Sequence, residues 1–191
     1  IRSPERISAM FRRAFNEMRT GRPGPVVLEL PRDVMAADVP EAAQNYIAAK
    51  AGKFLPPQAD IESAIDALLN AKKPLIWSGQ GTLMGAASGS LTELAELAGI
   101  PVMTTMPGKS GFNETHALSL GATNLTYSGQ VRKWLDESDV IFAIGTSMSG
   151  THYGLRPSAG KTLIHCSSDP ADINRDYDID MPLPGDAKLV L

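Results

Sequence analysis

The chain has 191 residues, a length that suits one complete domain and part of another. Apolar residues make up 43% and charged residues 20%, which excludes disorder as the default, and 18 Lys and Arg interleaved with 21 Asp and Glu exclude the basic stripe that nucleic acid requires. The longest apolar run is about five residues against the roughly 18 of a membrane span, and the single Cys166 excludes an internal disulfide or a multi-cysteine zinc site.

The opening residues do not read as a secretory signal, so a reducing cytoplasm is the expected compartment. The chain starts at Ile1 and stops at Leu191 just after a helix-like start, and both ends read as cuts in a longer polypeptide.

Ser3 and Pro4 form an N-cap and first-turn pair, followed by Ile7, Met10, Phe11, Ala14, Phe15 and Met18 at helical spacing, which predicts one amphipathic helix. Gly21 to Pro25 ends it, and Val26 to Leu30 reads as a short strand closed by Pro31. From Val34 to Pro57 no periodicity survives, which is the pattern of a linker. Ile61, Ala64, Ile65, Leu68 and Leu69 then mark a helix face, and Leu75, Ile76 and Trp77 a strand that stops at Gly79-Gln80-Gly81.

Ala87, Leu91, Leu94, Ala95 and Ala98 define the next helix, closed by Gly99, and Pro101 to Thr104 the next strand. Met106 to Thr126 reads as irregular. Val131, Trp134 and Leu135 suggest a short helix, Val140 to Ile144 a fully buried strand, and Thr162 to Cys166 another, with Asp186 capping a last helix. The expected fold is α/β: a doubly wound, mostly parallel sheet of about five strands, with any ligand at the carboxyl ends of the strands.

Several stretches there have ligand-binding chemistry. Gly79-Gln80-Gly81 with Gly85 is one residue longer than the usual dinucleotide fingerprint; it serves either a pyrophosphate or only the tight strand-to-helix turn. In Thr104 to Gly111, amides around Gly108 and Lys109 suit an anion, and a plain surface loop is the alternative. Asp169, after the strand ending at Cys166, either holds a ribose hydroxyl or opens a short helix through Asp169-Pro170.

Gly145-Thr146-Ser147-Met148-Ser149 resembles a nucleophile elbow but fails as one, because Ser149 stands where Gly is required and no acid lies between Ser147 and His152 or His165. His116, His152 and His165 lack helical metal-ligand spacing, and Glu29 fits a strand-edge charge better than a shifted base. No metal site and no catalytic residue are expected.

Together these stretches resemble the thiamine diphosphate-dependent decarboxylases and carboligases, the group that includes acetolactate synthase, pyruvate oxidase and benzoylformate decarboxylase. The resemblance runs through Gly21-Arg22-Pro23-Gly24-Pro25-Val26, Leu30-Pro31-Arg32-Asp33-Val34, Ala71-Lys72-Lys73-Pro74, Gly79-Gln80-Gly81, Ile100-Pro101-Val102, Gly108-Lys109, Leu120-Gly121, Ser138-Asp139-Val140, Gly145, Asp169-Pro170-Ala171 and Gly185-Asp186-Ala187. It implies residues 1–33 as the tail of a pyrimidine-binding domain, 34–57 as a linker, and 58–191 as a central domain truncated at its C-terminal end.

It further implies that thiamine diphosphate and Mg2+ bind outside this segment, because the activating glutamate and the Gly-Asp-Gly magnesium motif of the family are missing here. The parent enzyme would cleave or form a carbon–carbon bond next to the carbonyl of a 2-oxo acid or similar acyl donor. It would act as a homodimer or homotetramer, with no nucleic acid or membrane partner.

Central domains of the family hold FAD, an ADP moiety or nothing. Residues Gly79, Gln80, Gly81, Thr104, Gly108, Lys109, Gly121, Gly145, Thr146 and Asp169 are the ones the resemblance assigns to such a nucleotide. Against FAD, Thr146, Ser147 and Met148 stand where flavin-binding relatives tend to carry an arginine, and Ser167 where they carry an acid. An autonomous ADP- or FAD-binding module without catalysis is the rival expectation.

Overall fold

The apolar stripe from Ile7 to Met18 winds into α1 (Ile7–Arg19), entered through a short 3-10 turn over Pro4–Arg6, in a computed structural model that describes residues 1–48, 50–123, 125–150 and 154–191. Ser3 stands at the N-cap position of that turn without a side-chain cap bond. Residues Ile1–Lys53 form one unit and Phe54–Leu191 a second.

In the first unit Ala14 is buried, and the Phe15 ring lies 6.5 Å from Phe11 and 6.2 Å from Tyr46. The strand expected over Val26–Leu30 does not form, and Val27 remains 85% exposed. An isolated extended segment has no ladder to satisfy its amides and no face to bury. Across the start of the stretch read as linker and within it, α2 (Arg32–Ala36) and α3 (Glu41–Gln44) form one-turn helices, each opened by a proline held extended at the N-cap. Helices of four and five residues are too short for a helical period to show in sequence.

In the second unit α4 (Gln58–Leu69) turns Ala64 and Leu68 inward and leaves Leu69 exposed. Six strands follow: β1 (Pro74–Ser78), β2 (Val102–Thr105), β3 (Ser119–Thr123), β4 (Val140–Ile144), β5 (Thr162–Ser167) and β6 (Met181–Pro184). All pair in parallel, in the order β3-β2-β1-β4-β5-β6.

This is the expected parallel, helix-flanked sheet, and its strands number six: beyond those read from the sequence it gains β3 within the run read as irregular and β6 near the end. Both are edge strands. SLGAT carries a glycine at a register shift against Val102/Met103, and MPLP carries two prolines that only an edge accepts, so neither shows a buried strand's apolar run.

Between β1 and β2 the helical pattern divides into α5 (Gln80–Met84) and α6 (Ser88–Ala98), because Ala86 adopts φ +55 between them. Gly99 closes α6 at φ +64, the left-handed stop expected of it. α7 (Gly129–Glu137) is capped by Ser128, whose side chain accepts from the Val131 amide, and α8 (Ala187–Val190) by Asp186, which accepts from the Lys188 amide.

The sheet buries both faces. Ile76, Val102, Phe142, Ile144 and Ile164 pack against α4 and α6, while Leu75, Trp77, Met103, Ile141 and Leu163 pack against Val131 and Leu135 of α7. At the foot of the sheet Asp139 accepts from the Lys72 and Lys73 amides (2.8 and 2.9 Å) and ties the β1 and β4 entries together. Burial is the largest single influence and would raise this carboxyl, but the Lys73, Lys72, Asp139 and Val140 amides together hold it below the usual range. No helix among the described residues is long and apolar enough to cross a membrane.

Candidate functional site at the carboxyl end of the sheet

The chain leaves β1 for β2 on one side and returns to β4 on the other, so the topological switch point lies between the ends of β1 and β4. Gly79, Gly81 and Gly145 meet at that point and fill it with backbone. The Gly79 amide donates to the Ile144 carbonyl (2.9 Å) and the Gly81 amide to the Gly145 carbonyl (2.7 Å). A Cβ on Gly79 would stand 2.3 Å from the Gly145 oxygen, and one on Gly81 2.7 Å from the Gly145 Cα. Gly145 itself sits at φ +60, and its Cβ would lie 2.5 Å from the Thr82 nitrogen.

The loop after β2 closes the other side. A Cβ on Gly108 would lie 2.7 Å from the Gly79 carbonyl carbon, so Gly108 is packed against the same turn. Its amide donates to the Thr105 carbonyl, the Lys109 amide to the Met106 carbonyl and the Gly145 amide to the Cys166 carbonyl. The amides of Gly79, Gly81, Gly108, Lys109 and Gly145 therefore all end on carbonyls of the chain.

Of the other residues of the expected nucleotide site, Gln80 and Thr146 adjoin the glycine turn, Thr104 stands beside Ser78 at the end of β2, and Lys109, Gly121 and Asp169 lie on the loops and edge strand around it. Gln80 is exposed at the start of α5, and the Lys109 ammonium faces Glu114 at 3.5 Å. Gly121 lies in edge strand β3 at φ +92, opposite Met103 and away from the switch point. Thr146 is buried, its hydroxyl accepting from the Met148 amide. The Thr104 hydroxyl is buried without a hydrogen-bond partner. Asp169 caps the 3-10 turn Pro170–Asp172 by accepting from the Ala171 amide.

The buried acid beyond β5 is Asp172, not Asp169. Its carboxylate is 4% exposed, accepts from the Ser167 hydroxyl (3.0 Å) and pairs with the Arg175 guanidinium (2.7 Å). Arg175 also donates to the Ser147 carbonyl and the Ser149 hydroxyl, and Asp176 accepts from the Gly150 amide (2.9 Å). These bonds strap the segment after β5 across the turn after β4. The Gly150 amide first, and then Arg175, hold the Asp176 carboxyl below the usual carboxylate range. The sequence signal for Asp172 was its place three residues after Asp169 in a predicted short helix, which does not say which acid turns inward.

Ser147 Oγ is 2.8 Å from Ser149 Oγ, and His165 is engaged elsewhere, its Nε2 donating to the Thr146 carbonyl (2.9 Å). Burial pushes the His165 pKa down, although the Thr146 bond opposes this. His152 lies outside the described residues. His116 bonds Glu96 and stacks edge-on against Phe112. Burial drives the Cys166 thiol up to about 12. Among the described residues no three His, Cys, Asp or Glu side chains gather as metal ligands.

Comparison with known proteins gives this arrangement a context. A family model described as thiamine pyrophosphate enzyme, central domain, matches residues 61–191. The chain is 35% identical over 192 residues to the probable acetolactate synthase large subunit of Methanococcus aeolicus, covering 97% of this chain and 32% of that protein. It is 36% identical to the corresponding protein of Methanocaldococcus jannaschii (100% and 34% covered) and 30% identical to glyoxylate carboligase of Escherichia coli O157:H7 (100% and 33%).

The X-ray structure described as that of a thiamin diphosphate-dependent enzyme from Mycobacterium smegmatis superposes with TM-score 0.79 at 21% identity, over 100% of this chain and 37% of that one, a likeness of fold. The chain thus spans about a third of the length of the curated relatives it matches.

Proposed function

Because this chain belongs to the thiamine pyrophosphate enzyme family through that family's central domain, we propose that it is the architectural core of an enzyme that makes or breaks a carbon–carbon bond beside a 2-oxo acid carbonyl. In that enzyme thiamine diphosphate with Mg2+ supplies the carbon–carbon chemistry when bound. The residues described here do not fit that group. Its diphosphate is held through a metal ion with oxygen ligands, and no such ligand set is gathered. We assign its binding to other parts of the full polypeptide, and assign to that polypeptide a homodimeric or homotetrameric cytoplasmic enzyme.

The observation that carries the architectural reading is the filled switch point. A pyrophosphate needs free amides at the glycine turn, and those of Gly79, Gly81, Gly108, Lys109 and Gly145 are committed to carbonyls of the chain. On this reading neither FAD nor ADP is the occupant of the turn. What these residues do is hold the ends of β1, β2 and β4 together and fix where their loops emerge.

Calorimetric titration of ADP and of FAD into the chain tests this. Absence of stoichiometric heat is expected for both, and tight one-to-one binding of either overturns the architectural reading in favour of a nucleotide-binding module.

A further inference from the structure

Three residues stand side by side on neighbouring strands of one sheet face: Trp77 on β1 pairs in register with Ala143 on β4, and Ala143 with His165 on β5. Parallel strands are about 4.8 Å apart, so the Trp77 and His165 backbones are about 9.6 Å apart. Of that row, only the Ala143 methyl stands between them. The indole and the imidazole therefore flank a space that no side chain of their own row fills. All three residues are buried, Trp77 at 8% exposure and the other two at 0%.

Among the described residues, two of the three buried side-chain nitrogen and oxygen atoms without a hydrogen-bond partner belong to this row, Trp77 Nε1 and His165 Nδ1. The third, the Thr104 hydroxyl, lies one residue beyond Met103 and so on the opposite face. The two atoms are complementary. Indole Nε1–H only donates. His165 Nε2 must carry its proton to donate to the Thr146 carbonyl, which leaves Nδ1 as a bare acceptor in the neutral ring. A buried donor and a buried acceptor in one row of one sheet face, each without a partner among the described residues, match a guest that accepts from one and donates to the other.

We propose that a water molecule is bound above Ala143, accepting from Trp77 Nε1–H and donating to His165 Nδ1. This water is part of the fold. By donating to Nδ1 it supports the imidazole tautomer that the Thr146 carbonyl already sets, and so helps hold the turn after β4 beside Gly145. The inference stands whether or not the crevice takes a nucleotide, since it lies within the sheet face below it.

A crystal structure of the 191-residue chain with its ordered solvent tests the site, together with nitrogen NMR of His165. The expected result is a solvent peak about 2.7–3.2 Å from both nitrogens and an Nε2-protonated ring whose Nδ1 resonance is displaced from that of an unbonded imine nitrogen. In Ala143→Val, whose methyls enter the space, the peak is lost and the Nδ1 resonance moves to the unbonded position. An empty space, a protein group in place of the peak, or a His165 protonated on Nδ1 overturns the proposal. The NMR measurement on the unaltered chain decides it even where Ala143→Val does not fold.

Discussion

Replacing Gly145 by alanine tests whether the glycines at the switch point serve backbone apposition. The new Cβ meets the Thr82 nitrogen at 2.5 Å and the Gly81 carbonyl carbon at 2.8 Å, backbone atoms that no side-chain rotation can clear. Overpacking of this kind costs about 1–3 kcal/mol, and holding an L-residue at positive φ adds about 1–2 kcal/mol. The sum, about 2–5 kcal/mol, is a large part of the 5–15 kcal/mol typical of a domain.

Gly99→Ala separates the two contributions, because Gly99 has nearly the same φ, +64, with nothing within 4 Å of its Cβ. Urea denaturation followed by Trp fluorescence reports on the right unit, since Trp77 and Trp134 both lie in Phe54–Leu191. With a slope of about 1–3 kcal/mol per molar urea, the Gly145→Ala midpoint should fall about 1 M below that of Gly99→Ala. Coincident midpoints would refute the apposition and return the glycines to ligand binding.

Arg175→Ala removes the guanidinium from buried Asp172, and a loss of about 1–3 kcal/mol is expected, below the 3–5 of a fully buried pair because the Arg175 side chain is 37% exposed. An unchanged denaturation midpoint would show that the strap after β5 does not depend on it. His165 resists protonation in the fold because burial lowers its pKa, whereas the unfolded chain takes up that proton near pH 6.5. Below pH 6.5 the unfolded state therefore binds more protons, and stability should decline by up to about 1.4 kcal/mol per pH unit until the lowered folded pKa is reached. Imidazole NMR titrating at or above pH 6.5 would contradict this. Cys166, with its thiol driven up to about 12, should label with a disulfide reagent only on unfolding, and rapid labelling in native buffer would place it outside the core.

What sequence reveals here follows burial. Val140–Ile144 is enclosed on both faces and was legible to the residue, and α4, α6 and α7 carry the periodicity of one buried face. The edge strands β3 and β6 were not legible, because a strand paired on one side tolerates the glycine of SLGAT and the prolines of MPLP that erase its signature. Val26–Leu30 failed in the opposite direction: its composition is that of a strand, but strand propensity takes effect only against a partner. At the site, Asp169 was singled out for its place just after a strand, yet the side chain that turns inward belongs to Asp172. Local sequence places both acids near the end of β5, and only the register of a short 3-10 turn decides between them.

The glycine turn carries a more general consequence. Gly-x-Gly after a strand means that two backbones, or a backbone and a ligand, approach more closely than a Cβ permits, and sequence does not distinguish the two cases. Hydrogen-bond accounting does. Where the turn cradles a phosphate, its amides point to the ligand and lack partners in the chain; here the Gly79 and Gly81 amides end on the Ile144 and Gly145 carbonyls at 2.9 and 2.7 Å. The close neighbour these glycines admit is therefore Gly145, which explains why Gly145 must be glycine as well. Its φ of +60 aims its carbonyl at the Gly81 amide, and its missing Cβ leaves room for Thr82. Gly108 completes the packing from the β2 side, so four glycines from three separate loops answer one steric requirement. A single substitution among them should leave the other three with freedom they no longer use, and the double variant Gly79→Ala/Gly145→Ala should cost less than the sum of the two single changes.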